Sequence, residues 1–324
     1  MRRAIMRFAG LGAIAALSIA AAPFSPPPEL GWAYPAAPPH TAELKTPPGL
    51  YPTPDGKRKL SADQVEQLDP ADEDWFPDSH PTPPSVILHG AKNAAPCADC
   101  HMVNGQGAVG IPDIAGLRAA YLSEQLEAFR SGARRSAQTG RLATEAMIGV
   151  AKAWGEPDLK AAVAYYAALP RRTPVKIVVT DAAPPMRTER FGWTYADSAG
   201  GKARALDGAV AETPQSVGRV FMRDLSNRQI VYVSRSTLTL GETLVHTGGN
   251  GGQPCTLCHG ADLRGTAIAP PLAGRDPSYL ARQLWDIRSG ARSGASVAAM
   301  QGPARGLAPR DITAVAAYLA SRQP

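Results

Sequence analysis

The chain repeats itself. Cys97-Ala98-Asp99-Cys100-His101 returns as Cys255-Thr256-Leu257-Cys258-His259 at an offset of 158 residues. The same offset carries Ala115-Gly116 onto Ala273-Gly274, Tyr121-Leu122 onto Tyr279-Leu280, Gln125-Leu126 onto Gln283-Leu284, and the stretch from Arg130 to Arg134 onto that from Arg288 to Arg292. Beyond it the offset falls to 153, which places Met147 on Met300, Asp158-Leu159 on Asp311-Ile312 and Ala164-Tyr165 on Ala317-Tyr318, so one loop is shorter in the second copy. Two copies of one small domain follow. A length of 324 residues suits that better than one core.

Each copy reads as helices joined by loops. Tyr121, Leu122, Gln125, Leu126 and Phe129 recur at the spacing of an amphipathic helix, as do Tyr279, Leu280, Leu284 and Ile287, and the two helices are expected to stop at Gly132 and Gly290. Closing helices are expected at about 158–169 and 311–320, each opened by an acidic cap, with Met147 and Met300 in the loops before them. Val175 to Val179 and Gln229 to Val233 are β-branched enough for short strands, with a turn at Ser226-Asn227. The expected class is all-α: tandem domains at 85–171 and 236–324, joined by a connecting segment at 172–235 with short β-strands.

The N-terminus reads differently. Arg2, Arg3 and Arg7 precede an apolar run from Phe8 to Ala22, the pattern of an export signal at 1–22, cut after Ala20 or Ala21 or further on near Ala33. An uncleaved anchor is the alternative, although the run is shorter than the roughly 20 apolar residues a span needs. Residues 23–84 hold 16 of the 31 prolines and are expected to run as polyproline-like or irregular chain, apart from a turn or two of helix capped by Ser61. Asp74-Trp75-Phe76-Pro77 is aromatic enough to pack on a domain surface, with a solvated spacer as the alternative.

Four cysteines are too few for a disulfide scaffold in a chain of this length, and both pairs sit in C-x-x-C-H. That motif is the attachment signature of c-type haem: two thiols three positions apart add to the two vinyl groups, and the histidine beside the second thiol coordinates iron. The candidates are therefore Cys97, Cys100 and His101, and Cys255, Cys258 and His259. A zinc site would need more ligands than each pair offers, and a redox dithiol lacks its usual strand-helix context.

The other axial ligand comes from a methionine or from His40, His80, His89 or His246. Met147 and Met300 follow their motif histidines by 46 and 41 residues and share the closing helix's offset, which favours them over core gap-filling. His89 and His246 stand before the motifs, on the attachment side, and read as surface or propionate contacts. Met102 is too close to His101 to reach the far face, while Met186 and Met222 read as packing residues.

These motifs, with Gly110-Ile111-Pro112 or Ala269-Pro270-Pro271 followed by Ala-Gly, the Tyr-Leu-x-x-Gln-Leu pattern and a late methionine, resemble the class I dihaem cytochromes c, two-domain electron carriers of bacterial periplasms. The resemblance covers both repeats and extends to Asp74-Trp75-Phe76-Pro77 and the stretch from Phe221 to Val245. It implies two covalently attached haem c groups, His101 and His259 as proximal ligands, Met147 and Met300 as distal ones, and Pro112 and Pro270 or Pro271 near the proximal side. It further implies electron transfer rather than enzymatic turnover, in the periplasm, with a dehydrogenase, an oxidase or another cytochrome as partner, free or as a subunit of a membrane complex. A dihaem peroxidase with one open haem is the competing reading. Nothing points to nucleic acid: the arginines of 130–135 and 288–292 read as helix ends that offset the dipole or pair with propionates. The formal charge of +6 falls to +3 without the signal, and four ionised propionates would bring it to about −1.

Overall fold

A computed structural model describes residues 25–36, 48–91, 94–172, 175–188, 194–197, 200–249 and 252–324. The export signal and His40 lie outside the described residues.

Two stretches of the proline-rich extension are built into the fold. Pro28–Leu30 form a turn of 3-10 helix, and Leu30, Ala33 and Tyr34 are buried among Leu280, Ile312, Val315 and Leu319 of the second copy. Trp32 Nε1 donates to Thr313 Oγ1 (3.2 Å) and the Tyr34 hydroxyl to Asp286 Oδ1 (2.8 Å). Beyond this short turn the stretch is irregular, as expected, and it packs because Leu30, Ala33 and Tyr34 stand at the spacing of one helical face and Pro28 occupies a first-turn position that proline tolerates. Further on, Ser61 Oγ accepts from Gln64 N (3.2 Å) and Gln64 Oε1 from Ser61 N (2.8 Å), a reciprocal cap that opens α1 (Ala62–Glu66) as its sequence suggests. Trp75 is buried against Val65 and Met222 and its Nε1 donates to Met222 O (2.7 Å). The aromatic cluster thus packs, and its partner is the connecting segment.

The first copy comprises α2 (Ser85–His89), α3 (Cys97–His101), α4 (Ala119–Ser131), α5 (Leu142–Ala153) and α6 (Glu156–Ala168). α4 stops at Gly132, whose φ of 77° suits glycine. Met147 lies within α5 instead of in a loop, since Leu, Ala, Glu, Met and Lys fill this stretch with strong helix formers. No acidic residue caps α6: Gly155 is the N-cap, with Glu156 and Asp158 in the first turn, where they still offset the dipole.

In the connecting segment the strand Val175–Val179 pairs in parallel with Gln229–Val233, which pairs antiparallel with Ala211–Pro214. α7 (Val217–Phe221) lies between the last two strands. Val175, Val231 and Val233 are buried with Ala317 and Ala320 of the second copy, so the sheet rests on that domain.

The second copy comprises α8 (Arg235–Thr247), α9 (Thr256–His259), α10 (Pro277–Ser289), a 3-10 stretch at Ala295–Met300, α11 (Gln301–Gly306) and α12 (Pro309–Ala320). Met300 therefore ends a 3-10 stretch. Asp311 stands three residues inside α12, where its Oδ2 accepts from Ala308 N (2.9 Å), so the expected acidic cap acts from within the helix. α8 is absent from the sequence expectation although Ser234 caps it (Thr237 N to Ser234 Oγ, 3.1 Å) and Gly248 ends it. It packs against α12 at Gly241, where any Cβ would collide with Ala314 O.

The two copies meet through the repeat itself. Arg134 and Arg292, equivalent by the offset, form an antiparallel bridge, with Arg135 N donating to Ala291 O (2.9 Å) and Ser293 N to Ala133 O (2.7 Å). The Arg134 guanidinium donates to Gln125 Oε1 (2.9 Å) and Gln283 Oε1 (3.0 Å), and that of Arg292 to Gln283 Oε1 (2.9 Å) and Gln125 Oε1 (2.8 Å). Each arginine ties its own helix to the other copy's, a pseudo-two-fold lock. Beyond the expected roles of offsetting the dipole or pairing with propionates, Arg134 and Arg292 hold the interface between the copies.

Arg292→Ala removes two charge-assisted bonds from the buried lock and leaves Gln125 Oε1 and Gln283 Oε1 with Arg134 alone, so urea unfolding of the haem-loaded protein is expected to show a loss of about 3 kcal/mol, against under about 1 kcal/mol for a surface change such as Arg264→Ala. Leu30→Ala, which opens a cavity in the second domain's core, is expected to cost about 3 kcal/mol in the same assay.

Candidate haem sites

α3 and α9 are single turns that bring two sulfurs and an imidazole together. Each motif is followed at once by a backbone reversal, at Met102 (φ 62°) and Gly260 (φ 87°). The loop then returns along the turn, with Gly107 N donating to His101 O (3.0 Å) and Gly265 N to His259 O (2.9 Å). That return sets a proline carbonyl beside each imidazole: His101 Nδ1 lies 3.1 Å from Pro112 O and His259 Nδ1 2.8 Å from Pro270 O. A carbonyl only accepts, so Nδ1 carries the proton and Nε2 keeps a free lone pair, the form a metal ligand needs. Of Pro270 and Pro271 it is Pro270 that faces the histidine, while Pro271 O accepts from Arg275 Nε (2.8 Å). Burial pushes the His101 imidazole down to about 4 and lowers that of His259, so both are neutral at physiological pH. His259 Nε2 is buried without a hydrogen-bond partner.

Cys97, Cys100, His101 and Met147 line one cavity, walled by Leu122, Phe129, Trp154 and Tyr166 and closed from the second copy by Tyr279, Arg282 and Gln283. Its polar wall favours an anion. Arg134, Arg141 and Arg282 line it, and repulsion from Arg282, with burial adding, brings the Arg141 guanidinium down to about 9. Gln125 Nε2 and Trp154 Nε1 are buried donors without partners on the same wall. A mainly apolar cavity lined by two thiols, an imidazole, a thioether, three arginines and two donors unpaired among the described residues fits a haem with its propionates.

The second copy repeats the turn. Cys255 packs beside Leu263, Leu272 and Leu284 in its core, and Met300 packs with Ile287, Val297 and Ala304. Burial pushes the Cys97 thiol up to about 12 and raises those of Cys100 and Cys255. Among the described residues no group of three or more His, Cys, Asp or Glu side chains is placed to hold a metal ion.

Other sequence candidates fall elsewhere. His89 and His246 are exposed, and His80 lies between Asp74 Oδ1 (3.2 Å) and the Tyr165 hydroxyl (3.2 Å). Met102 and Met222 are buried. The sequence reading missed Arg141 and Arg282, which reach the first cavity from a loop and from the other domain. Only the identity of Gln125 and Gln283 in the two copies hinted that this helix face is polar for a reason.

The cytochrome c family profile matches residues 88–169 and 241–323. Over 241 residues the chain is 28% identical to the thiosulfate dehydrogenase electron acceptor of Stutzerimonas stutzeri (strain A1501), covering 73% of this chain and 84% of that protein. Over 94 residues it is 40% identical to cytochrome c4 of Pseudomonas aeruginosa, covering 26% of this chain and 45% of that one. Among solved structures, the thiosulfate dehydrogenase TsdBA from Marichromatium purpuratum superposes with a TM-score of 0.48 at 25% identity, over 74% of this chain and 39% of that chain. The chain belongs to the cytochrome c family: it is a dihaem class I cytochrome c, an electron-transfer protein with two covalently bound haem c groups in tandem domains.

Proposed function

We propose that this chain is an exported electron carrier in which Cys97 and Cys100 hold one haem and Cys255 and Cys258 the other, with His101 and Met147 as axial ligands of the first iron and His259 and Met300 of the second. The observation that carries this reading is the single cavity shared by Cys97, Cys100, His101 and Met147; the repeat gives Met300 the corresponding place in the chain. Haem c supplies an iron that alternates between ferric and ferrous states, one electron at a time, and thioether ligation favours the ferrous state.

The protein's own part is rigidity and exclusion. Pro112 and Pro270 hold each imidazole in one tautomer and one orientation, so little has to move when the charge changes. The apolar side chains lining the first cavity would shield a bound haem from water, and an iron held by both histidine and methionine would have no position left for a substrate. The arginine-glutamine lock fixes one domain against the other, which suits passage of an electron between them.

For a donor, similarity to a thiosulfate dehydrogenase electron acceptor supports a dehydrogenase that oxidises a sulfur compound, with another cytochrome or a terminal oxidase as acceptor. The basic and apolar N-terminus supports export to the periplasm. No helix among the described residues is long and apolar enough to cross a membrane. The burial of Leu30 and Ala33 argues against processing near Ala33 and for a cut upstream of Pro27.

Mass spectrometry of the exported protein is expected to find an N-terminus before Pro27 and the mass of two haems; a chain beginning after Ala33 would contradict the processing site. In the ferric protein, the far-red absorption band of methionine ligation is expected to fall by about half in Met147→Ala and in Met300→Ala and to vanish in the double variant. Retention of the full band in either single variant would remove that methionine from the ligand set.

A further inference from the structure

The two haem-attachment turns are alike in sequence spacing and unlike in what covers them. Ala98 and Asp99, the two residues between the first pair of cysteines, are gripped from outside the repeat: Arg223 donates through one terminal nitrogen to Ala98 O (2.7 Å) and through the other to Asp99 O (3.0 Å). Arg223 follows α7 with a φ of 50°, a conformation that a non-glycine residue holds only under constraint, and its side chain is 20% exposed. Its Nε is paired with Glu73 of the N-terminal extension, whose side chain is 9% exposed. At the equivalent carbonyls of Thr256 and Leu257 no side chain among the described residues donates, and Leu257 is 68% exposed. Among the described residues, the extension and the connecting segment bring an ion pair onto the carbonyls of the first attachment turn and none onto those of the second.

From this asymmetry we infer that Arg223, with Glu73 as its counterion, is a positioning residue that clamps the Cys97–His101 turn and sets the redox potential of the first haem apart from that of the second. The physics is electrostatic. Oxidation of the iron adds one positive charge, so a fixed cation nearby favours the ferrous form and a fixed anion the ferric form, and both act more strongly where water is excluded. While paired, the guanidinium and the carboxylate largely cancel. Removing either partner changes the net charge beside the turn by one unit, with the Asp99 carboxylate near Arg223 present throughout, and the two removals push the potential in opposite directions. Loosening of the turn would instead admit water and push it the same way in both. The inference rests on the reading of Cys97–His101 as a haem-attachment turn.

The test is a spectroelectrochemical titration of the full two-haem protein at pH 8.5, with the waves assigned to each haem by nuclear magnetic resonance. The alkaline pH keeps Glu73 ionised, because burial, outweighing Arg223, pushes its carboxyl up to about 7. In Arg223→Gln the wave of the first haem is expected to move down, shifting the distribution of one electron between the haems by about tenfold, which is about 59 mV for a one-electron couple. In Glu73→Gln it is expected to move up by a similar amount. Arg223→Lys, which keeps the charge and loses the paired grip, is expected to lie between Arg223→Gln and the unaltered protein. The second haem's wave stays in place throughout. Movement of the first wave in the same direction in both neutral variants, or in neither, would overturn the inference while leaving the haem assignment standing. Loss of the second haem alone from unaltered protein, or failure of the first turn to carry haem at all, would overturn the underlying assignment instead.

Discussion

The bond from each motif imidazole to a proline carbonyl is the interaction on which the rest of the molecule depends. It commits Nδ1 as a donor, leaves Nε2 with its lone pair, and ties the attachment turn to a loop eleven residues further along. The imidazoles are buried and neutral, and among the described residues Nε2 of His259 has no hydrogen-bond partner, a lone pair that a bound metal would satisfy. The helices around the first turn line its cavity with apolar side chains and with Met147, and Arg134, Arg141 and Arg282 join that lining, where carboxylates would otherwise be costly to bury.

A second constraint lies between the repeats. Duplication of one domain gives two sites, but two sites do not by themselves make a relay. The lock of Arg134 and Arg292 on Gln125 and Gln283 fixes the geometry through residues that are themselves duplicated, so the interface closes on itself as an isologous contact does between identical subunits. The parts that are not duplicated then break the symmetry. Leu30 to Tyr34 complete the core of the second domain, while Glu73, Trp75 and Arg223 gather on the first. One chain thus builds two related sites in different surroundings, the condition for two potentials and a direction of electron flow.

Much of this was legible in the sequence because the repeat and the C-x-x-C-H spacing are local signals. The helix ends at Gly132 and Gly290, the strands at 175–179 and 229–233 and the Ser61 cap all follow from short-range chemistry. What escaped was non-local. Leu30 to Tyr34 pack against residues some 250 positions away, and nothing in a proline-rich run announces that partner. Arg134 and Arg292 look like ordinary helix-end cations until the two copies face each other. α5 was hidden because its methionine invited a loop, although its composition is that of a good helix. α8 carried its own cap and stop signals at Ser234 and Gly248, and these too are short-range.

The most direct test of the account is a reductive titration of the purified, exported protein with its optical spectrum followed under carbon monoxide. Two covalent haems with methionine ligands predict uptake of two electrons per chain, in one-electron steps, with no carbon monoxide complex in the ferrous protein. Uptake of a single electron, or prompt formation of a carbon monoxide complex at either haem, would contradict a closed, two-centre electron carrier and put an open iron site in its place.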